Sequence, residues 1–244
     1  MLVDFCLPVR NEALILENSI NKLRDCLLAK NYSFDWRIVI ILNNCNDDSE
    51  KILNRLAYIY QKELKFLAIN PEGKSGALKY YFSKSEADII VFMDIDLAVS
   101  LDDLDLLILP VVKNEFDLVF GSRFLKDSKV ERSFFRSFSS LVYNYLSRKF
   151  LKHKFRDLQC GFKAFKSEVF LKIKPNLRDD KWFFDTEFIT YANYYKFRIK
   201  EIPVNWDENR YEKRTSKVNV YKNTWTFIKN LIRLRAEISK FNKS

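Results

Sequence analysis

Glycine and proline are scarce in this chain of 244 residues, with four of the first and five of the second. So few leave little material for flexible linkers, and each glycine needs a reason where it does occur. Cysteine is no more plentiful: Cys6, Cys26, Cys45 and Cys160 are scattered, with no close pair spaced for a metal or redox motif. Free thiols in a reducing cytosol are the reading this supports. The stretch MLVDFCLPVRNE is interrupted by Asp4, Arg10 and Glu12 and does not have the pattern of a secretory signal. No apolar run reaches the length that spans a bilayer. The nearest, DIIVFMDIDLAVSLDDLDLLILPVV, carries six aspartates.

Apolar and aromatic residues, by contrast, are abundant, at 48% and 16% of the chain. That composition is globular rather than disordered, and the length suffices for a sizeable core in one large domain or two small ones. The formal net charge is +10. Such an excess suits a polyanion, an anionic membrane surface or phosphorylated ligands. A basic surface that only aids solubility is the plain alternative, and where the charge falls decides between them.

Through the first half, β-branched apolar runs alternate with helical patterns. VDFCLPV, WRIVIIL, KFLAI, DIIVFMD and DLVFGS read as strands. Helices are expected from about Glu12 to Ala29, after Asp47 or Asp48 with Ile52, Leu56 and Ile59 on one stripe, after GKSG, and from Asp102 to Lys113. This alternation predicts an α/β fold with a mainly parallel central sheet flanked by helices. In such sheets ligands bind beyond the carboxyl ends of the strands, which singles out PVRNE, NNCNDD, DIDL and GSR. Further along come an aromatic helix, SFFRSFSSLVYNYLSRKFL, in a basic region, then DLQCGFKAF, WFFDTEFITYANYYKF and a strand, IKEIPVNW. A polar loop precedes a last amphipathic helix from about Val218 to Ser239. No internal repeat or clear domain boundary is visible.

Asp94 and Asp96 end an apolar strand one residue apart, and strand residues i and i+2 share a face. Hard oxygen ligands of this kind suit Mg2+ or Mn2+ bridged to substrate phosphates, while a solvated turn or a helix cap explains the pair equally well. A haloacid-dehalogenase phosphatase also opens on such a pair, but it carries Thr or Val where Ala98 stands and places the motif near the start of the chain. PEGKSGALK sets two glycines beside Lys74, as an anion site at a helix start would, or as a plain turn. Arg123 of GSR is placed for a specific phosphate. Asp185 and Glu187, among large aromatics, could serve as a general base or bind hydroxyls, or Asp185 could cap the next helix.

Taken in order, LPVRNE, GKSGALK, FMDIDLA, DLVFGSRF, RSFFRSF, DLQCGFKAF, WFFDTEF, IPVNWDE and SKV resemble glycosyltransferase family 2, with its GT-A fold. Within it they look most like the dolichyl-phosphate glucosyltransferase and mannose synthase group. The resemblance implies a GT-A catalytic domain over residues 1–217, followed by a basic amphipathic helix over 218–244. It implies that Pro8, Arg10, Glu12 and Asn44 meet the nucleotide, with Asn44 standing where the family usually has Asp. Lys74 falls near the diphosphate, and Asp94 and Asp96 match the metal and sugar-nucleotide motif. Arg123, Arg132 and Arg136 fall where the acceptor phosphate is expected, and Ser216 and Lys217 lie in a loop that closes over the donor. Ala98 replaces a further ligand common in mannose synthases, so the donor leans to the glucosyl type.

The implied reaction is inverting transfer of a hexose, glucose before mannose, from UDP-glucose or GDP-mannose to a polyprenyl phosphate, with Mg2+ or Mn2+. Family 2 transfer to a sugar hydroxyl, with Asp185 as base, is the alternative reading. The implied location is cytoplasmic and peripheral, on an anionic membrane surface with or without a membrane partner protein. Two stretches would make that contact: the aromatic helix, and the stripe of Tyr221, Trp225, Ile228 and Ile232. Nucleic acid is not an expected partner, because acidic strand ends repel phosphates unless a metal intervenes.

Overall fold

The computed structural model describes residues 1–69, 73–131, 134–179, 183–207 and 220–241. Of residues 134–136, 220–225 and 241 the backbone alone is described. The β-branched runs form strands β1 (Leu2–Val9), β2 (Asp35–Asn43), β3 (Leu64–Ile69), β4 (Ile89–Met93) and β5 (Leu118–Ser122). Between them lie α1 (Ala13–Lys30), α2 (Ser49–Ile59), α3 (Gly73–Phe82) and α4 (Leu104–Val112). A short β6 (Lys129–Glu131) leads to the aromatic helix α5 (Phe134–Leu151). The rest comprises β7 (Phe162–Lys166), α6 (Ser167–Ile173), α7 (Phe184–Tyr194), β8 (Ile199–Pro203), β9 (Asn205–Asp207) and α8 (Val220–Phe241).

Seven strands form one sheet in the order β3-β2-β1-β4-β7-β5-β8, and β6 pairs with β9 in a small second sheet. The expected parallel arrangement holds for β1 with β2 and β4, β2 with β3, and β5 with β8. Strand β7, inside DLQCGFKAF, was not foreseen. It runs antiparallel to both β4 and β5, with Met93 opposite Phe162 and Phe120 opposite Lys163. The start of β7 therefore lies on the same rim as the carboxyl ends of β4 and β5. IKEIPVNW also divides, at Val204, between the two sheets.

Period-two alternation distributes the strand residues over two apolar layers. Phe5, Leu7, Val91, Met93, Phe162 and Ala164 face one layer, which α1, α2 and α4 complete. Cys6, Ile90, Phe92, Phe120 and Phe165 face the other, with residues of α3, α6, α7 and α8. In α2 the buried contacts are Leu53 and Leu56, whereas Ile59, expected on the core stripe, is exposed. The helix is rotated toward Leu53 from the phase read in its sequence. Its start is held by Asp47, whose carboxylate accepts from the backbone N–H of Ser49 at 3.1 Å and of Ala13 at 3.0 Å, linking α2 to α1.

The last helix packs through residues beside the stripe read in its sequence. Ile232 is 54% exposed, while Leu231 and Leu234 are buried against the second layer with Ile238 beside them. Tyr221 and Trp225 have side chains outside the described residues. Polar contacts add to this seam: Arg233 pairs with the buried Glu187 of α7, and the Tyr191 hydroxyl donates to Glu237 at 2.8 Å. Glu187 also accepts from the backbone N–H of Arg178 and Asp179 at 3.0 and 2.9 Å.

The turn after β5 is held by a second buried ion pair. Asp157 is fully buried and takes Arg123 Nε at 2.7 Å, Arg123 Nη2 at 3.0 Å and the Arg123 backbone N–H at 3.1 Å. Burial pushes the Asp157 carboxyl upward, but the charge and hydrogen bonds of Arg123 outweigh it and hold it below the usual carboxylate range.

Two stability outcomes are expected. Leu234→Ala should destabilise the chain by about 2–5 kcal/mol as a buried cavity, against a few tenths for Ile232→Ala, measured by denaturant unfolding. Asp157→Asn leaves the Arg123 charge buried without its partner and should cost about 3–5 kcal/mol at neutral pH. Because the folded pKa of Asp157 is depressed, its contribution is full above the unfolded value of about 4 and fades as pH falls through the folded one. The gap between wild type and Asp157→Asn should therefore narrow below about pH 4. A gap independent of pH would rule the ion pair out as its source.

Candidate functional site

The strand order reverses between β1 and β4, and the crevice outside their carboxyl ends is where an open α/β sheet binds ligands. Asp94 is the first residue past β4. The chain then turns tightly: the Leu97 N–H donates to the Asp94 carbonyl at 3.1 Å, with Leu97 at φ 51°. A buried leucine in the left-handed region is strained, and such strain persists only where surrounding contacts enforce it. Those contacts come from β9, where the Asp207 N–H donates to the Ala98 carbonyl at 2.8 Å and Val99 bridges Trp206. The Asp96 carboxylate accepts from the Ala98 N–H at 3.3 Å. A small open cleft lies here, with Asp94, Asp96, Ala98, Gly161 and Trp206 in its wall.

Two lysines converge on this cleft. Lys74, in the first turn of α3, pairs with Asp94 and lies 4.9 Å from the centre of the Phe92 ring. Burial pulls the Lys74 ammonium down, but the charges of Asp94 and Asp185, the hydrogen bond to Asp94 and the charge of Asp96 outweigh it. Its pKa is raised above the usual lysine value. Lys163, on β7, is 1% exposed and donates to Asp185 at 2.7 Å and to the Cys160 carbonyl. Its ammonium lies over the same Phe92 ring at 5.6 Å. The start of α3 is tied to the sheet by buried Asn43, whose Nδ2 donates to the Gly73 carbonyl at 2.6 Å.

Gly161 has its own reason to be glycine. A Cβ at this position would fall on the Asp94 carboxylate. The first aspartate of the pair thus rests against bare backbone, an approach that any other residue would block.

The structure therefore gathers Lys74, Asp94, Asp96 and Asp185 into one charged group. Pro8, Arg10, Glu12 and Asn44 lie on the same rim: Pro8 near the end of β1, Arg10 exposed after it, Glu12 at the start of α1 and Asn44 just past β2 at φ 49°. Asn44 donates to its neighbour Asn43 at 3.2 Å. Arg123 stands differently from its sequence reading. Two guanidinium nitrogens are committed to Asp157, and the group stacks on Trp206 at 4.9 Å, so it braces the cleft wall. Asp185 does not cap α7; it lies in the helix's first turn and engages Lys163. Arg132, Ser216 and Lys217 lie outside the described residues, as does the Arg136 side chain. Sequence reasoning missed Asn43, Asp157, Gly161, Lys163 and Trp206. A lysine in the middle of an otherwise apolar FKAF run was the available signal for one of them.

Among the described residues no group of three or more His, Cys, Asp or Glu side chains could hold a metal ion. Two carboxylates one residue apart on the ligand rim still fit Mg2+ or Mn2+, because these ions are commonly held by one or two carboxylates together with substrate phosphates. No helix among the described residues is long and apolar enough to cross a membrane.

Comparison with known proteins agrees with this architecture. Glycosyltransferase AglD of Haloferax volcanii is 33% identical over 205 residues, 84% of this chain and 33% of its own. A dolichyl-phosphate beta-glucosyltransferase of Trichomonas vaginalis is 29% identical over 217 residues, 84% of this chain and 66% of its own, and the human one 28% over 185, covering 72% and 57%. The chain thus spans between a third and two thirds of these relatives' lengths. Glucosyl-3-phosphoglycerate synthase of Mycobacterium tuberculosis, crystallised with Mn2+, UDP-glucose and phosphoglyceric acid, superposes with a TM-score of 0.65. It is 15% identical, with 97% of this chain and 79% of that one covered, a likeness of fold. The model of glycosyl transferase family 2 matches residues 4–174, and the chain belongs to that family, with a GT-A fold.

Proposed function

We propose that the chain transfers glucose from UDP-glucose to a polyprenyl phosphate of the dolichyl type, with inversion and with Mg2+ or Mn2+ at Asp94 and Asp96. The observation that carries this reading is the clustering of Lys74 with Asp94 and Asp96 on the ligand rim of a family 2 fold. The names of the dolichyl-phosphate beta-glucosyltransferase relatives support the sugar and the acceptor. When bound, the cation neutralises charge on the departing diphosphate. Lys74, paired with Asp94 in the absence of donor, would pair instead with the diphosphate and add a second positive charge there. Pro8, Arg10, Glu12 and Asn44 would line the nucleotide. Ser216 and Lys217 would cover the donor, and Arg132 and Arg136 would meet the acceptor phosphate. Arg123 would hold the loop that leads to them.

Asp185 separates this reading from transfer to a sugar hydroxyl. A hydroxyl acceptor needs a base to take its proton. An Asp185 oxygen is already engaged by the buried Lys163 ammonium at 2.7 Å and is not free to take a proton from an acceptor without breaking that pair. A phosphate monoester is largely ionised near pH 7 and attacks without a base. The pairing favours the phosphate acceptor.

A lipid acceptor calls for a lipid-facing surface, and α5 offers one. Phe138, Leu141, Val142 and Tyr145 are exposed at i, i+3, i+4 and i+7 of the helix, a single stripe, with exposed Ile232 on the adjoining α8. Lys149 lies over the Tyr145 ring at the end of the stripe. Apolar side chains flanked by lysine fit an anionic membrane surface, on the cytoplasmic side in this reading.

UDP-glucose with Mn2+, at about a hundred times its dissociation constant, should raise Tm by roughly 5–10 °C, whereas Mn2+ alone should shift it little. Asp96→Asn should abolish both the metal-dependent shift and glucosyl transfer while keeping the unliganded Tm. Transfer retained in that variant would sink the metal assignment. Sedimentation with anionic vesicles at low salt should capture the wild type, and Phe138→Ser/Tyr145→Ser should reduce capture several-fold. Equal capture of the two would remove α5 from the lipid contact.

A further inference from the structure

Lys163 is a buried lysine in the middle of a sheet layer. Strand alternation turns it to the same side as Phe165 and Phe120, among side chains that are otherwise apolar. Burying an ammonium there is costly unless it is paired and hydrogen-bonded. Both conditions are met: the Cys160 carbonyl fixes the ammonium from its own chain, Asp185 supplies the counter-charge at 2.7 Å, and the Phe92 ring lies beneath it. The segment from Cys160 to Lys163 thus touches both ends of the site, with Gly161 against Asp94 and Lys163 on Asp185.

Asp185 in turn lies near Lys74: the ammoniums of Lys74 and Lys163 lie 4.9 and 5.6 Å from the centre of the same Phe92 ring, and Asp185 is bonded to the second of them. Charges of opposite sign therefore alternate from Lys163 through Asp185 and Lys74 to Asp94. We infer that Lys163 is a positioning residue for the transfer reaction: it holds Asp185 as an oriented carboxylate, and Asp185 would be the carboxylate left to Lys74 were Asp94 to hold a cation. This inference rests on the reading of Lys74 as the donor-diphosphate lysine. It assigns Asp185 an electrostatic task in place of proton abstraction. It also accounts for a lysine in a strand position that packing alone would give to an apolar residue.

The test uses the full chain in four forms: wild type, Lys163→Met, Asp185→Asn and the double variant. Methionine keeps the reach of the side chain without the charge. The double variant removes both members of the buried pair, leaves no uncompensated charge, and is the form that folds should Lys163→Met alone fail to do so. Binding of UDP with Mn2+ is measured by calorimetry, kcat and KM by glucosyl transfer to a polyprenyl phosphate, and folding by thermal unfolding. Lys163→Met should lower kcat and the UDP affinity about tenfold or more, with KM for the polyprenyl phosphate within about twofold of wild type. Asp185→Asn should do the same, and the double variant should be no worse than the poorer single one, as expected of residues acting in one chain. If Lys163→Met is unfolded, equal constants for Asp185→Asn and the double variant carry the same support. Wild-type kcat and UDP affinity in folded Lys163→Met, or losses that multiply in the double variant, would overturn the inference and leave Lys163 as a counter-ion of the core. A wild type that binds no UDP with Mn2+ would overturn the donor reading itself and this inference with it.

Discussion

The antiparallel seat of β7 between β4 and β5 is the constraint on which the site depends. In a parallel sheet only the ends of strands reach the ligand rim. A strand running the other way brings its beginning there, so Gly161 meets Asp94 and the third residue of the segment, Lys163, lies just beneath the rim. Alternation then decides the face. Phe92, Lys163 and Phe165 turn to the layer that holds α3 and α7, and those two helices bring Lys74 and Asp185 to the same place. Reversing β7 would put Lys166 opposite Met93 and Ser167 where Gly161 now stands, with a side chain in the space that the Asp94 carboxylate occupies.

Charge balance within the cleft follows from that geometry. Asp94, Asp96 and Asp185 carry three negative charges, and Lys74 and Lys163 two positive ones. Each lysine is tied to one carboxylate, and the Phe92 ring offers its electron-rich face to both ammoniums. The raised pKa of Lys74 shows that attraction to the carboxylates exceeds the cost of its burial.

Much of this was legible in the sequence, and what was not has a physical reason. Long β-branched runs predict strands because their burial on both faces leaves no competing pattern, so β1, β2 and β4 were readable, and the rule of strand ends led to Asp94, Asp96 and Lys74. Strand β7 was hidden because Lys163 interrupts its apolar run, and an antiparallel crossing is a long-range fact with no local signature. In α8 local periodicity shows the stripe of Ile228 and Ile232, and Ile232 is exposed as a surface stripe would be, whereas the core contacts Leu231 and Leu234 are selected only by packing against α5 and α7. Arg123 reads as a phosphate ligand until Asp157, 34 residues away in the chain, takes up its guanidinium.

Three consecutive residues of α7 link the cleft to the helices that flank it. Asp185 faces Lys163, the Thr186 hydroxyl shares a 2.6 Å hydrogen bond with Tyr143 of α5, and Glu187 holds Arg233 of α8. Successive helix residues point about 100° apart, so one short turn reaches the sheet and two helices at once. Glu187 is buried, and burial raises its carboxyl against the pull of backbone donors and Arg233. Removing Arg233 would leave that carboxylate still supported by the N–H groups of Arg178 and Asp179. The junction is therefore anchored from the protein interior, and the helices are fitted to it. A displacement of α5 or α8 by whatever their exposed faces meet is resisted at α7, within two residues of the carboxylate that faces Lys163.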